Sequence, residues 1–180
     1  MDTIETIRAL SEGEGDTKGH LQIGAERIPC AFGRSGLVTT KREGDGGTPI
    51  GEWPLRKIYY RADRIDVPSS GLDRTQIVQD DIWCDDPASP QYNTVGKLPF
   101  DPSHENLWRE DHLYDLMIPM GYNDSPIVAG NGSAIFFHLA KPDYQPTEGC
   151  VAIAREHMLE LLPRLGLQTV MQIGFSAQLD

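Results

Sequence analysis

Ser133-Ala-Ile-Phe-Phe-His-Leu-Ala-Lys-Pro-Asp-Tyr-Gln-Pro-Thr-Glu-Gly-Cys-Val-Ala-Ile153 opens as a strand and closes on a cysteine set directly after a glycine. From Ser133 to Leu139, a period of two puts Ile135, Phe137 and Leu139 on one face and Ala134, Phe136 and His138 on the other. His138 is thus the polar end of an otherwise apolar strand face. Lys141, Pro142, Pro146 and Gly149 then break the strand, so the chain can turn and return Cys150 to the imidazole. Gly149 tolerates positive φ, and its missing side chain leaves nearby backbone N–H groups open to a substrate oxygen. Only a thiolate attacks, and an adjacent imidazole lowers the thiol pKa from its free value of about 8.5 and later protonates a leaving amine. Taken alone, a cysteine is often just buried and a strand-end histidine just bonded to backbone. Their spacing, with Gly149 between, favours a nucleophile and its base.

Thr147-Glu-Gly-Cys-Val151 after a strand histidine resembles the active-site signature of the L,D-transpeptidase (YkuD) family. Upstream, Lys41-Arg-Glu-Gly-Asp-Gly-Gly-Thr-Pro-Ile-Gly-Glu-Trp-Pro54 resembles that family's Thr-Pro-x-Gly segment, and the resemblance runs from about Cys30 to the helix end near Leu165. It implies that Cys150 is acylated by a peptidoglycan stem peptide, with His138 as base and the Leu139 backbone carbonyl orienting the imidazole. Gly149 and Cys150 then supply oxyanion N–H groups. Attack falls between an L-configured centre of diaminopimelate or lysine and a terminal D-alanine, and water or an amine, such as that of a D-amino acid, resolves the thioester. Three departures stand out: Glu148 replaces a second histidine, Ala152 replaces the Arg or Asn that commonly follows the cysteine, and the His-to-Cys loop is short. The substrate carboxylate therefore needs another cation. Arg155, Arg34 or the Lys41-Arg42 pair are candidates, since a carboxylate is best held by a bidentate guanidinium, with a solvated surface charge as the competing reading of each. Thr147, Tyr122 and Asn123 complete the substrate-binding candidates, the last two in a context that is also a turn.

The 180 residues suffice for one core, and 18 Gly and 13 Pro favour strands and loops over a helical bundle. We expect a single catalytic domain over 1–180. Its expected fold is mainly β, an antiparallel sandwich or partly open barrel of the L,D-transpeptidase type with one helix beside the active site. Strand signals cover about Thr3 to Ala9, Leu21 to Ile23, Arg27 to Phe32, Trp53 to Tyr60, Gln76 to Val78, Leu113 to Ile118, Ser133 to Leu139 and Gln168 to Phe175. Gly24-Ala-Glu26 reads as a hairpin turn. Helical spacing of Met158, Leu159, Leu162 and Leu165 predicts a helix from Arg155 to about Leu165, with Pro163 and Gly166 pointing to an earlier end. Between Asp80 and Tyr114 the periodicity fails. Trp83, Tyr92, Phe100 and Trp108 there belong to a lid or binding loop that shapes the cleft, or to a satellite cluster beneath it.

A net charge of −11 argues against nucleic-acid partners. His104 and His112 flank acidic residues without a His-Glu-x-x-His pair or paired-cysteine spacing, so no metal site is expected. Gly44-Asp-Gly-Gly47 lacks the ending of a phosphate loop, and thiol chemistry requires no organic cofactor. Met1 to Leu10 shows acids in place of a basic leader and no long apolar run, and no membrane span is visible. The expectation is a cytoplasmic protein, or a periplasmic one if the chain is trimmed. Cys30, Cys84 and Cys150 fit a reducing compartment. Soluble precursors and muropeptides are the substrates found there. The favoured use is therefore L,D-carboxypeptidase release of terminal D-alanine from tetrapeptides, or D-amino-acid exchange. The alternatives are an exported enzyme making wall cross-links and a non-catalytic muropeptide-binding module.

Overall fold

The structure, a computed structural model, describes residues 2–179. Alternating apolar residues build β1 (Thr6–Ser11), β2 (Lys18–Ile23) and β3 (Glu26–Ala31), whose Ile7, Ala9, Leu21, Ile23, Ile28 and Cys30 enter one core. Ile23 pairs with Glu26 across a two-residue turn in which Gly24 takes φ +58°, a conformation glycine adopts freely. The next strands are β4 (Leu37–Val38), β5 (Thr48–Pro49), β6 (Gly51–Pro54), β7 (Ile58–Tyr60) and β8 (Arg74–Gln76). They are followed by β9 (Asp81–Cys84), β10 (Val95–Lys97), β11 (His104–Asn106), β12 (Leu116–Pro119), β13 (Phe136–Leu139) and β14 (Val151–Ile153). Helix α1 (Arg155–Leu161) and strand β15 (Val170–Phe175) lead to a last helical turn, α2 (Ser176–Leu179).

Ten strands in the order β6-β15-β1-β2-β3-β14-β13-β12-β7-β8 form one curled sheet, a half-barrel. The expected mainly β, partly open architecture with a helix beside it is what forms. The sheet is mixed, however, because β1–β15, β7–β8 and β13–β14 pair in parallel. One face packs Phe137 and Leu139 of β13, with Ile135 just before it, into the main core with Met158 and Leu161 of α1. The opposite face carries Ala134, Phe136 and Cys150 into a second cluster with Tyr59, Leu107, Tyr114 and Met117. The alternation read along Ser133–Leu139 therefore separates two cores.

Several boundaries differ from the sequence reading, each for a local reason. The Trp53 to Tyr60 run splits into β6 and β7, because Pro54 has no N–H for a ladder and Leu55 makes only an isolated bridge to Met120. The helix ends at Leu161 and tightens into a 3-10 turn over Leu162–Arg164, where Pro163 removes a donor. The largest correction concerns residues 80–114. They contain a three-stranded sheet, β10-β9-β11, that covers the second cluster, with the Trp83 ring edge-on to Phe136 at 5.0 Å. Its strands are only three or four residues long, too short for alternation to be visible.

Candidate active site

In the parallel β13–β14 ladder, Phe137 lies opposite Val151 and His138 opposite Ala152. Continuing that register by one residue sets Cys150 beside Phe136, and the period of two points Cys150, Ala152, Phe136 and His138 to the same face. The ladder therefore brings the thiol and the imidazole together on one wall of a single pocket of about 190 Å³. Both side chains are buried, His138 at 4% exposure and Cys150 at 6%.

The Cys150 thiol donates to the Ala134 carbonyl at 3.2 Å and accepts from the Phe136 N–H at 3.3 Å. Burial, reinforced by the Glu105 carboxylate, pushes the thiol up to about 12 against the opposing pull of the Phe136 N–H and Lys41. His138 Nδ1 stands 2.8 Å from the Leu139 carbonyl. A carbonyl only accepts, so Nδ1 carries the ring proton and Nε2 is left as the basic nitrogen. Burial pushes the imidazolium down to about 4; the Leu139 bond works the other way, and Arg109 adds repulsion. At neutral pH the resting pair is thus a neutral thiol and a neutral imidazole.

Loops from two distant motifs close around the cysteine. Thr147 Oγ1 donates to the Cys150 carbonyl at 2.7 Å, and Thr48 Oγ1, from the Thr-Pro-Ile-Gly segment, reaches the same carbonyl at 3.5 Å while accepting from the Gly33 N–H. Gly149 has φ +132°, and a Cβ there would meet the Gly47 carbonyl at 2.8 Å, so only glycine fits. Lys41, its side chain 3% exposed, ties to Asp45 and to the Arg42 carbonyl, and Asp45 also accepts from the Gly47 N–H at 2.8 Å. This fixes the turn that backs Gly149.

The far wall comes from residues 80–114 and the chain after them. The Tyr114 ring stands edge-on to the His138 imidazole at 5.4 Å, and its hydroxyl donates to Glu105 at 2.7 Å. Burial holds the Glu105 carboxyl above its ordinary range. The Arg109 guanidinium lies over the Tyr114 ring at 5.0 Å and grips Asp111 through two bonds of 2.8 and 2.6 Å. Asp85 Oδ1 is buried without a partner among the described residues. The pocket is therefore of mixed charge, with Glu105, Asp85 and Glu43 facing Lys41, Arg109 and Lys141.

Of the residues singled out in the sequence, Cys150, His138, Thr147, Glu148 and Lys41 line this pocket, Lys41 with its ammonium committed to Asp45 and the Arg42 carbonyl. Leu139 contributes its carbonyl, and the Gly149 N–H is already engaged by Thr147 Oγ1 at 3.1 Å. The other substrate-binding candidates lie elsewhere. Arg34 pairs with Glu148 at 2.8 Å on the surface, and Arg155, at the start of α1, bonds the Arg64 carbonyl. The Tyr122 hydroxyl donates to Asn131 O, and the Asn123 amide braces its own loop through Val128 and Gly132. Tyr114, Glu105 and Arg109 were not legible in the sequence. The only trace of them was the density of aromatic and charged residues in an aperiodic stretch. No group of His, Cys, Asp and Glu suited to a metal occurs among the described residues, and no helix there is long and apolar enough to cross a membrane.

The family model described as the L,D-transpeptidase catalytic domain, YkuD, matches residues 17–173. No curated protein and no solved structure gives a match.

Proposed function

The chain belongs to the L,D-transpeptidase (YkuD) family of enzymes, which act by acyl transfer on peptidoglycan peptides, and from that premise we propose that Cys150 and His138 carry the reaction. Cys150 Sγ attacks the carbonyl carbon between the L-centre and the terminal D-alanine, while its S–H bond breaks and the proton leaves its hydrogen bond to the Ala134 carbonyl for His138 Nε2. Collapse of the tetrahedral intermediate breaks the C–N bond, and His138 returns the proton to the departing D-alanine amine, leaving a thioester on Cys150. Water or the amine of a second D-amino acid then attacks that thioester; its proton goes to His138 and the thiolate leaves, to be reprotonated from the ring. The Leu139 carbonyl holds the imidazole in the required tautomer throughout. The Cys150 N–H serves as oxyanion donor, joined by that of Gly149 once the Thr147 hydroxyl yields it. The observation that supports this most is that the β13–β14 register puts Cys150 and His138 on one face and in one pocket.

In the same reading, the enzyme serves as an L,D-carboxypeptidase or exchanges terminal D-alanine for another D-amino acid. Support comes from pocket size: about 190 Å³ is below the roughly 300–1,000 Å³ of sites for drug-sized ligands, and suits one peptide end with a small co-reactant. A cytoplasmic setting, with soluble muropeptides as substrate, goes with it, since Cys30, Cys84 and Cys150 stand as free thiols. Lys141 is the pocket cation suited to the substrate carboxylate, since the Arg109 fork is already engaged by Asp111. The test is to incubate the protein with a tetrapeptide muropeptide, with and without a D-amino acid, and follow the products by mass spectrometry. Tripeptide plus D-alanine, or a swapped terminal residue, is the expected result. Cross-linked dimers as the main product would overturn the carboxypeptidase and exchange assignment in favour of wall cross-linking.

A further inference from the structure

Ala134, whose carbonyl accepts the hydrogen bond of the Cys150 thiol, is held in an unusual conformation. Ala134 has φ +54°, a region that L-residues other than Asn and Asp seldom enter, and its carbonyl meets Sγ there. No regular ladder supports it, because β13 begins only at Phe136. Side chains do so instead. The Ala134 N–H donates to Asn93 Oδ1 at 3.0 Å, the Gly132 N–H donates to the Tyr92 hydroxyl at 3.0 Å, and both Ser133 Oγ and the Tyr92 hydroxyl donate to Glu43 Oε2.

Asn93 is the centre of this brace. It is buried, and its amide is fully used: Oδ1 accepts from Trp83 Nε1 at 3.0 Å as well as from Ala134, and Nδ2 donates to the Tyr122 and Asn123 carbonyls at 3.3 and 2.8 Å. Its orientation is forced, since a flipped amide would face two N–H donors with N–H and two carbonyls with oxygen. We infer that Asn93, contributed by the β9–β10 connection some forty residues upstream, is a positioning residue that sets the Cys150 sulfur by fixing the Ala134 backbone: it holds the Ala134 N–H, and through that residue's φ the carbonyl that meets Sγ. The inference rests on Cys150 being the nucleophile, and gives the sheet over the second cluster a function beyond cover.

The consequence is a pair of opposed effects. Asn93→Ala releases the Ala134 carbonyl, so the thiol loses its acceptor and part of its shielding, and its apparent pKa falls. The sulfur also loses its aim at the substrate carbonyl, so turnover slows. The experiment measures the pH profile of Cys150 alkylation by iodoacetamide, followed by peptide mapping, together with kcat and KM on a tetrapeptide muropeptide. The proteins are the intact wild type, Asn93→Ala and Trp83→Phe. Asn93→Ala should shift the alkylation profile to lower pH by at least half a unit and reduce kcat tenfold or more with KM within twofold. Trp83→Phe, which removes a bond from Asn93 without touching Ala134, should keep the wild-type alkylation profile. If Asn93→Ala does not fold, Asn93→Ser takes its place, its hydroxyl being too short to reach Ala134, with the same outcomes expected. Wild-type profile and kcat in the folded Asn93 variant overturn the inference, as does an equal shift in Trp83→Phe. Turnover that survives Cys150→Ala would instead defeat the nucleophile assignment, so the two failures are distinguishable.

Discussion

Replacing His138 by Asn should remove most of the acid sensitivity that the buried imidazole imposes on stability. Asn places an N–H donor near the Nδ1 position, where the Leu139 carbonyl waits 2.8 Å away, and removes the titrating ring. In the folded protein burial holds the imidazolium at about 4, against an ordinary value of 6.5. The folded pKa is the depressed one, so between these values the unfolded chain binds more protons. Stability is then full above about pH 6.5 and is lost as pH falls through 4. At 1.36 kcal/mol per unit the whole gap corresponds to about 3 kcal/mol, of which about 2 kcal/mol is already lost between about pH 7 and pH 5. Urea unfolding of both proteins at those two pH values measures it. The remaining carboxylates titrate alike in the two proteins and cancel in the comparison. The wild type should lose about 2 kcal/mol more than the variant over that interval; equal losses would refute the claim that His138 is buried neutral.

Glu105→Gln should lower the apparent pKa of Cys150, because the carboxylate is the leading charge opposing the thiolate; faster iodoacetamide labelling at mildly alkaline pH is the check. Gly149→Ala forces a Cβ to within 2.8 Å of the Gly47 carbonyl at a φ of +132°, and should cost more than about 1 kcal/mol in denaturant unfolding while also slowing turnover. Phe136→Ala empties the space between Trp83 and Tyr114 under the thiol. A loss of about 3–5 kcal/mol by urea titration is expected, and a loss under about 1 kcal/mol would mean that the second cluster does not hold the pocket wall.

The residues that made the centre of the fold legible are those around His138. Ala134 to Leu139 is a short apolar run followed by the breakers Pro142 and Gly149, and read as a strand its period of two correctly sends Ile135, Phe137 and Leu139 to one cluster and Ala134 and Phe136 to the other. The Thr-Pro-Ile-Gly and Thr-Glu-Gly-Cys segments could be seen as separate motifs, yet not that Thr48 and Thr147 share the Cys150 carbonyl, since that contact is made across 102 residues of chain. The far wall was hidden for a different reason. Trp83, Glu105 and Asn93 act through strands of three or four residues and the turns between them, too short for a period to mark them. Arg34 and Arg155 looked like carboxylate ligands because charge alone carries no direction. In the fold their guanidiniums turn to Glu148 and to the Arg64 carbonyl.

In the proposed reaction a substrate acyl group passes through Cys150. Intact-protein mass spectrometry at early times after mixing with a tetrapeptide muropeptide detects that acyl-enzyme. The predicted result is a protein heavier by the muropeptide less one D-alanine, with the adduct on the peptide containing Cys150 and missing from Cys150→Ala. Turnover with no such adduct in the wild type, or turnover that persists in Cys150→Ala, would contradict it.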